Sequence, residues 1–438
     1  MLERLVKGSE GREDMSDNKK IISDWLDATH HKLVTREDNV HYDQQSENNF
    51  YVYFGDSPTN YDPASYSMTC EVSSTGLPVG GGVITMKNTW EWPHCSSFTS
   101  WPHTHTNNKL HSVEGSWDSG VCQGLQVFTY CNGVTFRAVF SGGVPHGLAV
   151  GYFNKKVIWV GRYVDGECAR EFCSIEPEGR SLLTGEYCNG DLTGSDMTFL
   201  YPDMKTGLQG SWQDGVMVAA REVMVNRVCV EEDYLRISCS ACFGPEFSYA
   251  PSGANNFGCS DPLLRDPYES KYIEVKESEM EGGGEGVYAK VDIPKNTIAA
   301  VFNGYKVPLS SGTYLAEGIE DEEKIYERLS YNIHMPEDED FFLDLPPAMA
   351  SLSVYSASLG HKVNHSFLPN SVFGTMYHPR WGRVRTVETM GEVEEGQELL
   401  VDYGYDLLRC PQWYRDLWTR QLGGSGKKYW EYKREAKV

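Results

Sequence analysis

The chain has 438 residues, a formal net charge of −23, and many glycines (43) and tyrosines (26). That length allows two or three domains with separate cores, and the glycine and tyrosine content favours turns and strands over long helices, so a mainly β fold is expected. The acidic balance argues against direct contact with nucleic acid backbones and for basic protein partners.

No apolar run reaches the roughly 18 residues needed to span a bilayer, and no signal-peptide pattern opens the chain, which reads as soluble and intracellular. The twelve cysteines are scattered, which suits free thiols in a reducing compartment. Residues 1 to 48 are polar and read as a mobile N-terminal segment with one short amphipathic stretch, Ile21 to Leu33, as a transient helix. From 49 to 222 the sequence repeats: Gly115-Ser-Trp117-Asp-Ser-Gly120 recurs loosely around Phe140, Tyr163, Tyr187 and Trp212 at a nearly constant interval. Each unit reads as a hairpin, with an aromatic packing inward and an Asp/Asn-Gly pair turning the chain at positive φ. One hairpin cannot bury its own face, so the units must stack into an elongated sheet. The pattern resembles MORN repeats. Trp90, Trp92 and Trp101 do not keep the period and are given core or cap roles only.

Residues 223 to 268 carry Gly, Pro and Ser punctuation and read as a connector. Within it Cys239 and Cys242, near Cys229 and Cys259, are either half of a zinc site or incidental thiols; without a second close pair, no metal is assigned. From 269 to 408 short alternating runs predict a domain of short strands. Gly283-Gly284-Glu285-Gly286 forms a glycine loop, Glu317 to Glu327 and Glu337 to Asp340 are acid-rich, and a strand pair turns at Pro379 to Gly382. The acidic stretches are either a solvated helix face or a surface that steers a basic peptide. Residues 409 to 438 form a closing segment, PQWYRDLW, and a basic tail at Lys427-Lys428 and Lys433-Arg434.

Two motifs dominate this last region. Asn364-His365-Ser366 with Pro369-Asn370 is followed by Glu398-Leu399 and Asp402-Tyr403-Gly404-Tyr405. In that order and at that separation they resemble the paired signatures of SET-domain protein-lysine methyltransferases. The resemblance implies a knotted β domain with a short C-terminal helical segment, S-adenosylmethionine as methyl donor, and no metal. It also implies that Gly283, Glu285, Asn332, His361, Lys362, Asn364, His365 and Trp413 bind the donor. Trp413 would stack on its adenine. Tyr403 and Tyr405 match the catalytic channel tyrosines, with Tyr403 near the transferring methyl and Tyr405 as channel wall.

Such chemistry suits these residues. A neutral amine displaces a thioether from a sulfonium in line, so the protein must align atoms, exclude water and present the amine deprotonated. An apolar channel beside a cation does the last by lowering the lysine pKa.

MORN-like hairpins, the DPYES segment at Asp266 to Ser270 and a C-terminal SET domain resemble a histone H3 lysine-4 monomethyltransferase subfamily. This implies histone H3 and non-histone proteins as partners and a nuclear, chromatin setting, with the cytoplasm as a second location. Two positions depart from that subfamily: Phe302 and Phe373 stand where it has channel tyrosines that contact substrate. Each lost hydroxyl removes a hydrogen bond of about 1 kcal/mol and leaves room for a methylated amine to turn for another round. The expectation is relaxed specificity towards dimethyllysine. The alternative is a weakly active or silent SET protein, or an adaptor, acting through its hairpin surface.

Overall fold

The computed structural model describes residues 16–34, 51–53, 58–60, 66–72, 78–91, 109–131, 133–164, 166–176, 181–186, 192–231, 234–250, 261–308, 319–335, 341–407 and 410–423. Expectations for Tyr187, Trp92, Trp101, Cys259, Glu337 to Asp340 and the basic tail fall outside the described residues, as does the side chain of Trp90. The chain divides into two compact units, Met1–Ser248 and Tyr249–Val438.

The first unit begins with helix α1 (Ser16–Val34) and continues as strands β1 (Tyr51–Tyr53), β2 (Pro58–Asn60), β3 (Tyr66–Val72), β4 (Pro78–Glu91), β5 (Lys109–Asp118), β6 (Val121–Tyr130), β7 (Val134–Ser141) and β8 (Val144–Phe153). Then come β9 (Lys156–Val164), β10 (Glu167–Ile175), β11 (Leu182–Glu186), β12 (Gly194–Leu200), β13 (Thr206–Gln213), β14 (Val216–Glu231) and β15 (Tyr234–Phe247). From β3 to β15 each strand is hydrogen-bonded to the next in sequence, giving one antiparallel meander.

The repeat residues explain it. Trp117, Phe140, Tyr163 and Trp212 are all buried near strand ends. The turns after them use positive φ at both central positions, Ser119 (49°) with Gly120 (86°) and Asp214 (51°) with Gly215 (78°). That is the turn whose twist matches a two-residue hairpin.

Two expectations are corrected here. The amphipathic N-terminal stretch is a packed helix: Ile22 (5% exposed), Trp25 (6%) and Thr29 (5%) lie on one face of α1. Ile22 and Trp25 join a core with Val150, Tyr152, Val160 and Leu182, while Asn18 Nδ2 donates to the Met204 carbonyl at 3.2 Å. Spacing of three and four residues puts these side chains in one apolar stripe, which the polar flanks concealed. Residues 223 to 247 are likewise not a connector but most of β14 and β15, paired from Ala220 with Phe247 to Glu231 with Tyr234. The buried residues of β14, Met217, Ala220, Val223 and Val228, recur at intervals of three to five, and register shifts interrupt its pairing with β15, so no strict period of two marks this strand in the sequence.

The second unit contains α2 (Glu269–Tyr272), β16 (Ile273–Glu277), β17 (Glu285–Ala289), β18 (Ile298–Phe302), β19 (Tyr305–Pro308), α3 (Glu322–Arg328), β20 (Asn332–His334) and β21 (Phe341–Asp344). After these come β22 (Asn364–His365), β23 (Ser371–His378), β24 (Gly382–Thr389), β25 (Leu400–Val401) and α4 (Gln412–Leu422). They form small sheets: β16-β17, β18-β24-β23, β19-β21-β20 and β22-β25. The β23-β24 hairpin turns where expected, with His378 opposite Gly382. The core gathers Val287, Ala299, Leu359, Val387, Leu399 and Val401. Asp266, in the expected connector, is also fully buried here, with its carboxylate 2.9 Å from His378 Nε2.

Replacing Trp25 by Ala should lower the stability of the first unit by about 3 kcal/mol, the usual cost of emptying a large buried site. Urea unfolding of the variant checks this; an unchanged midpoint would mean that the helix is not docked.

Candidate active site

The two motifs meet at a short parallel pairing, Asn364 with Leu400 and His365 with Val401. Glu398 ties it together. Its carboxylate accepts from Ser278 Oγ at 2.9 Å, Asn364 Nδ2 at 2.8 Å and Tyr288 Oη at 3.2 Å. Asn370 clamps the same strand from the other side, donating from Nδ2 to the Glu398 carbonyl (2.8 Å) and accepting from the Leu400 amide (2.9 Å). A Cβ on Gly286 would fall 2.1 Å from the Glu398 carboxylate, so this glycine is required by close approach.

His365 is buried. Its Nδ1 lies 3.1 Å from both the Tyr403 amide nitrogen and the Val401 carbonyl oxygen, so the imidazole is tied to the backbone of the second motif. The ring stacks on Tyr414 of α4 at 4.5 Å between centroids and meets Phe367 edge-on at 4.4 Å. The helix is thereby seated against the motif.

Beside this crossing lies a cavity of about 500 Å³, within the range of about 300–1,000 Å³ usual for small-molecule sites. Gly283, Asn364, His365, Tyr403 and Trp413 line it, with Glu323 and Glu327 of α3 and Arg420 of α4. Gly282 (φ 77°) and Gly284 (φ 60°) shape the glycine loop, which is joined to α4 by an ion pair between Glu281 and Arg420. Trp413 keeps 45% of its surface exposed, so its indole is available for stacking. Glycine backbone, an asparagine, an imidazole and an open indole together fit a zwitterionic nucleoside such as S-adenosylmethionine.

A narrow cavity of about 50 Å³ adjoins it, lined by Phe302, Asn332, His361, Phe373, Tyr403 and Tyr405, among others. Both cavities are lined by Ser330, Tyr331, Tyr403 and Tyr405. The Tyr403 hydroxyl donates to the Val363 carbonyl at 2.6 Å. Burial first, then the neighbouring Tyr405, push its pKa up, so it stays a neutral phenol. The Tyr405 hydroxyl is pushed up as well, again chiefly by burial. The rings of Tyr403 and Tyr405 stand 5.9 Å apart at 71°.

Of the expected donor-binding residues, Gly283, Asn364, His365 and Trp413 line the wide cavity, whereas Asn332 and His361 line only the narrow one. Asn332 Nδ2 is buried without a hydrogen-bond partner among the described residues. Lys362 and Glu285 line neither; the buried lysine holds Glu285 at 2.6 Å. Sequence reasoning did not assign Tyr331, Ser330 or Glu398 a role, although Tyr331 stands beside Asn332 and Glu398 lies within a motif. In the acid-rich stretch, Glu323 and Glu327 line the wide cavity, and Asp321 caps α3 by accepting from the Glu323 amide. Cys239 and Cys242 are free, and no group of three metal-ligating side chains occurs among the described residues. No described helix is long and apolar enough to cross a membrane.

Known proteins resemble this chain in both of its units. The family described as Histone H3 K4-specific methyltransferase SET7 N-terminal matches residues 163–236, and the SET domain family matches residues 284–404. A histone-lysine N-methyltransferase, SETD7 of Halocynthia roretzi, is 31% identical over 291 residues, covering 64% of this chain and 67% of that protein. Among solved structures, ctPRC2 in an autoinhibited conformation bound to S-adenosylmethionine is similar over 34% of this chain and 17% of that chain, at 22% identity and a TM-score of 0.25. An active polycomb repressive complex 2 in the basal state matches over 31% and 16%, at 21% identity and a TM-score of 0.24. The chain belongs to the SET-domain protein-lysine methyltransferases, with a SET7-like N-terminal region. It is an S-adenosylmethionine-dependent histone-lysine N-methyltransferase.

His361 gives a pH test. It is buried between Tyr331 and Tyr355, and burial, with the Lys362 charge second, lowers its pKa from 6.5 to about 4. The unfolded chain therefore takes up the proton first as pH falls, and stability present above 6.5 is lost down to about 4. Relative to pH 7, the wild type at pH 5 should lose about 2 kcal/mol more than His361→Gln in urea unfolding. Equal losses in the two proteins would count against a neutral buried imidazole.

Proposed function

We propose that this chain methylates lysine ε-amines in basic protein segments, with a lysine-4-type site in the histone H3 tail as leading substrate and non-histone lysines as further ones. The supporting observation is that the wide and narrow cavities are both lined by Tyr331, Tyr403 and Tyr405. A donor in one and an amine in the other would face each other across that ring of phenols.

Gly283, Asn364, His365 and Trp413 hold the donor in this reading, and Glu285 and Lys362 fix the loop around it. When bound, S-adenosylmethionine supplies an electrophilic methyl on a sulfonium. The apolar walls Phe302, Phe373 and Tyr405 strip water from the incoming lysine and so favour its neutral form. Tyr403 has committed its proton to the Val363 carbonyl, which leaves its oxygen as an acceptor beside the amine. Asn332 offers its buried amide to the same space. The N-terminal sheet serves as a scaffold or partner surface, and the acidic chain suits a basic chromatin partner in the nucleus, with cytoplasmic substrates as a second setting.

Phe302 and Phe373 lack hydroxyls that would restrain a methylated amine, so product should proceed to dimethyllysine. Mass spectrometry of a peptide at long incubation checks this; a product that stops wholly at monomethyllysine refutes it. The same two phenylalanines favour a second reading, a donor-binding but weak enzyme. A radiolabelled methyl assay on mixed core histones and lysate, with wild type and Tyr403→Phe, separates the two. The variant should lose about tenfold in kcat, the value of one hydrogen bond of slightly more than 1 kcal/mol, with donor affinity kept in calorimetry. Equal incorporation by both proteins would remove Tyr403 from the mechanism. Trp413→Ala should weaken donor binding about fivefold in the same titration, the share expected of one stacked ring.

A further inference from the structure

The first unit holds a second cavity that methyl transfer does not use. It has a volume of about 370 Å³ and is lined by side chains of β8 to β13 together with Trp25 of α1 and residues 234–237 of β15. A single cross-strand row runs through the sheet there: Val150, Val160, Cys173, Thr184, Thr198 and Gln209 are opposed in turn on neighbouring strands. Opposed residues share a face, so the row changes from apolar to polar along its length. At the polar end, Thr184 Oγ1 donates to the Phe172 carbonyl at 2.7 Å and Gln209 Nε2 donates to Thr198 Oγ1 at 3.1 Å.

Two guanidinium groups converge on this space. Arg162 and Arg236 lie 5.3 Å and 5.5 Å from the centroid of the same Tyr234 ring. Both groups are cationic donors, so an anion placed beside them gains charge-assisted hydrogen bonds. Arg162 Nε is buried and meets no hydrogen-bond partner among the described residues. Asp196 is the one acid on the lining among the described residues; it and Arg236 are both exposed, and Arg162 is half-buried. Its charge reaches Cys239, whose thiol is pushed up to about 11 by burial first and by Asp196 second. In a chain of net charge −23, a cavity whose lining is net positive runs against the general balance. Trp25, Leu148 and Leu235 complete the lining with apolar surface.

We infer that this cavity binds a small organic anion, a carboxylate, sulfonate or phosphate monoester attached to an apolar or aromatic body. The anionic end meets Arg162 and Arg236, and the body rests against Trp25 and Leu235. Thr184, Thr198 and Gln209 supply uncharged hydrogen bonds between the two. This site is independent of the methyl-transfer reading, since every residue in it belongs to the first unit.

The test is a fluorescence titration of the full chain with anilinonaphthalene sulfonate, with S-adenosylhomocysteine at saturation to occupy the wide cavity of the second unit. Arg162→Met and Arg236→Met keep side-chain length and remove the charge. Arg137→Met is the control, because Arg137 also lies over a tyrosine, Tyr152, but is not part of the lining. Thermal midpoints equal to that of the wild type establish that each variant is folded. The expected result is one saturable site, weakened about tenfold or more by each of the first two substitutions and unchanged by the third, as for loss of a charge-assisted bond. No saturable binding, or binding that all three variants retain, overturns the inference. If both pocket variants unfold, Thr198→Val is titrated in their place, and its failure to weaken binding overturns the inference in the same way.

Discussion

The second unit depends on one carboxylate. Glu398 accepts from Ser278 and Tyr288 of the β16-β17 hairpin and from Asn364, two segments far from it in sequence, at the point where two two-residue strands run parallel. A half-buried carboxylate with several donors is a strong constraint, because a donor left alone would lose its partner away from bulk water. Gly286 is the counterpart: its missing Cβ is the room that the Glu398 carboxylate occupies. Once this knot of hydrogen bonds is closed, the glycine loop, the Asn364-His365 strand and the tyrosine run have fixed places relative to one another. The wide and narrow cavities are the space left between them.

The chemistry asked of this site needs little from the protein beyond placement and dryness. Aromatic walls serve both ends. They make water scarce, which raises the phenol pKa values of Tyr403 and Tyr405 and lowers that of a lysine entering the same surroundings, since burial always disfavours the charged form. One environment thus keeps two tyrosines protonated and frees an amine. Support from behind comes through α4, where Tyr414 is fully buried and stacks on His365.

Much of this was legible in the residues. The hairpin array followed from aromatics and Asp/Asn-Gly turns that are local and periodic, and the meeting of Asn364-His365 with the segment before Asp402 followed from two compact motifs. What escaped notice had a physical reason in each case. The face of α1 is interleaved with Asp, Lys and His, so Trp25 and Ile22 looked like isolated apolar residues until a sheet lay against them. The strands β14 and β15 contain cysteine, serine and glycine that resemble loop text, and register shifts break the period of two that would mark them. Tyr331 and Ser330 belong to no motif and come to the cavities only because β20 pairs with β21. His361 and Asn332 share a neighbourhood with the donor motif, but side-chain direction, which sequence order does not encode, turns them into the narrow cavity.

The parallel contact of Asn364 and His365 with Leu400 and Val401 also bears on synthesis. The N-terminal meander joins each strand to its neighbour in sequence, so it can assemble hairpin by hairpin as it leaves the ribosome. The wide cavity has no such option, because its lining includes both Gly283 and Trp413 and is not complete without the last. Loop closure over that distance is a late and slow event. A nascent chain would therefore carry a finished sheet for some time before it could hold any donor, and ribosome stalling upstream of Tyr403 would release a folded but inert half.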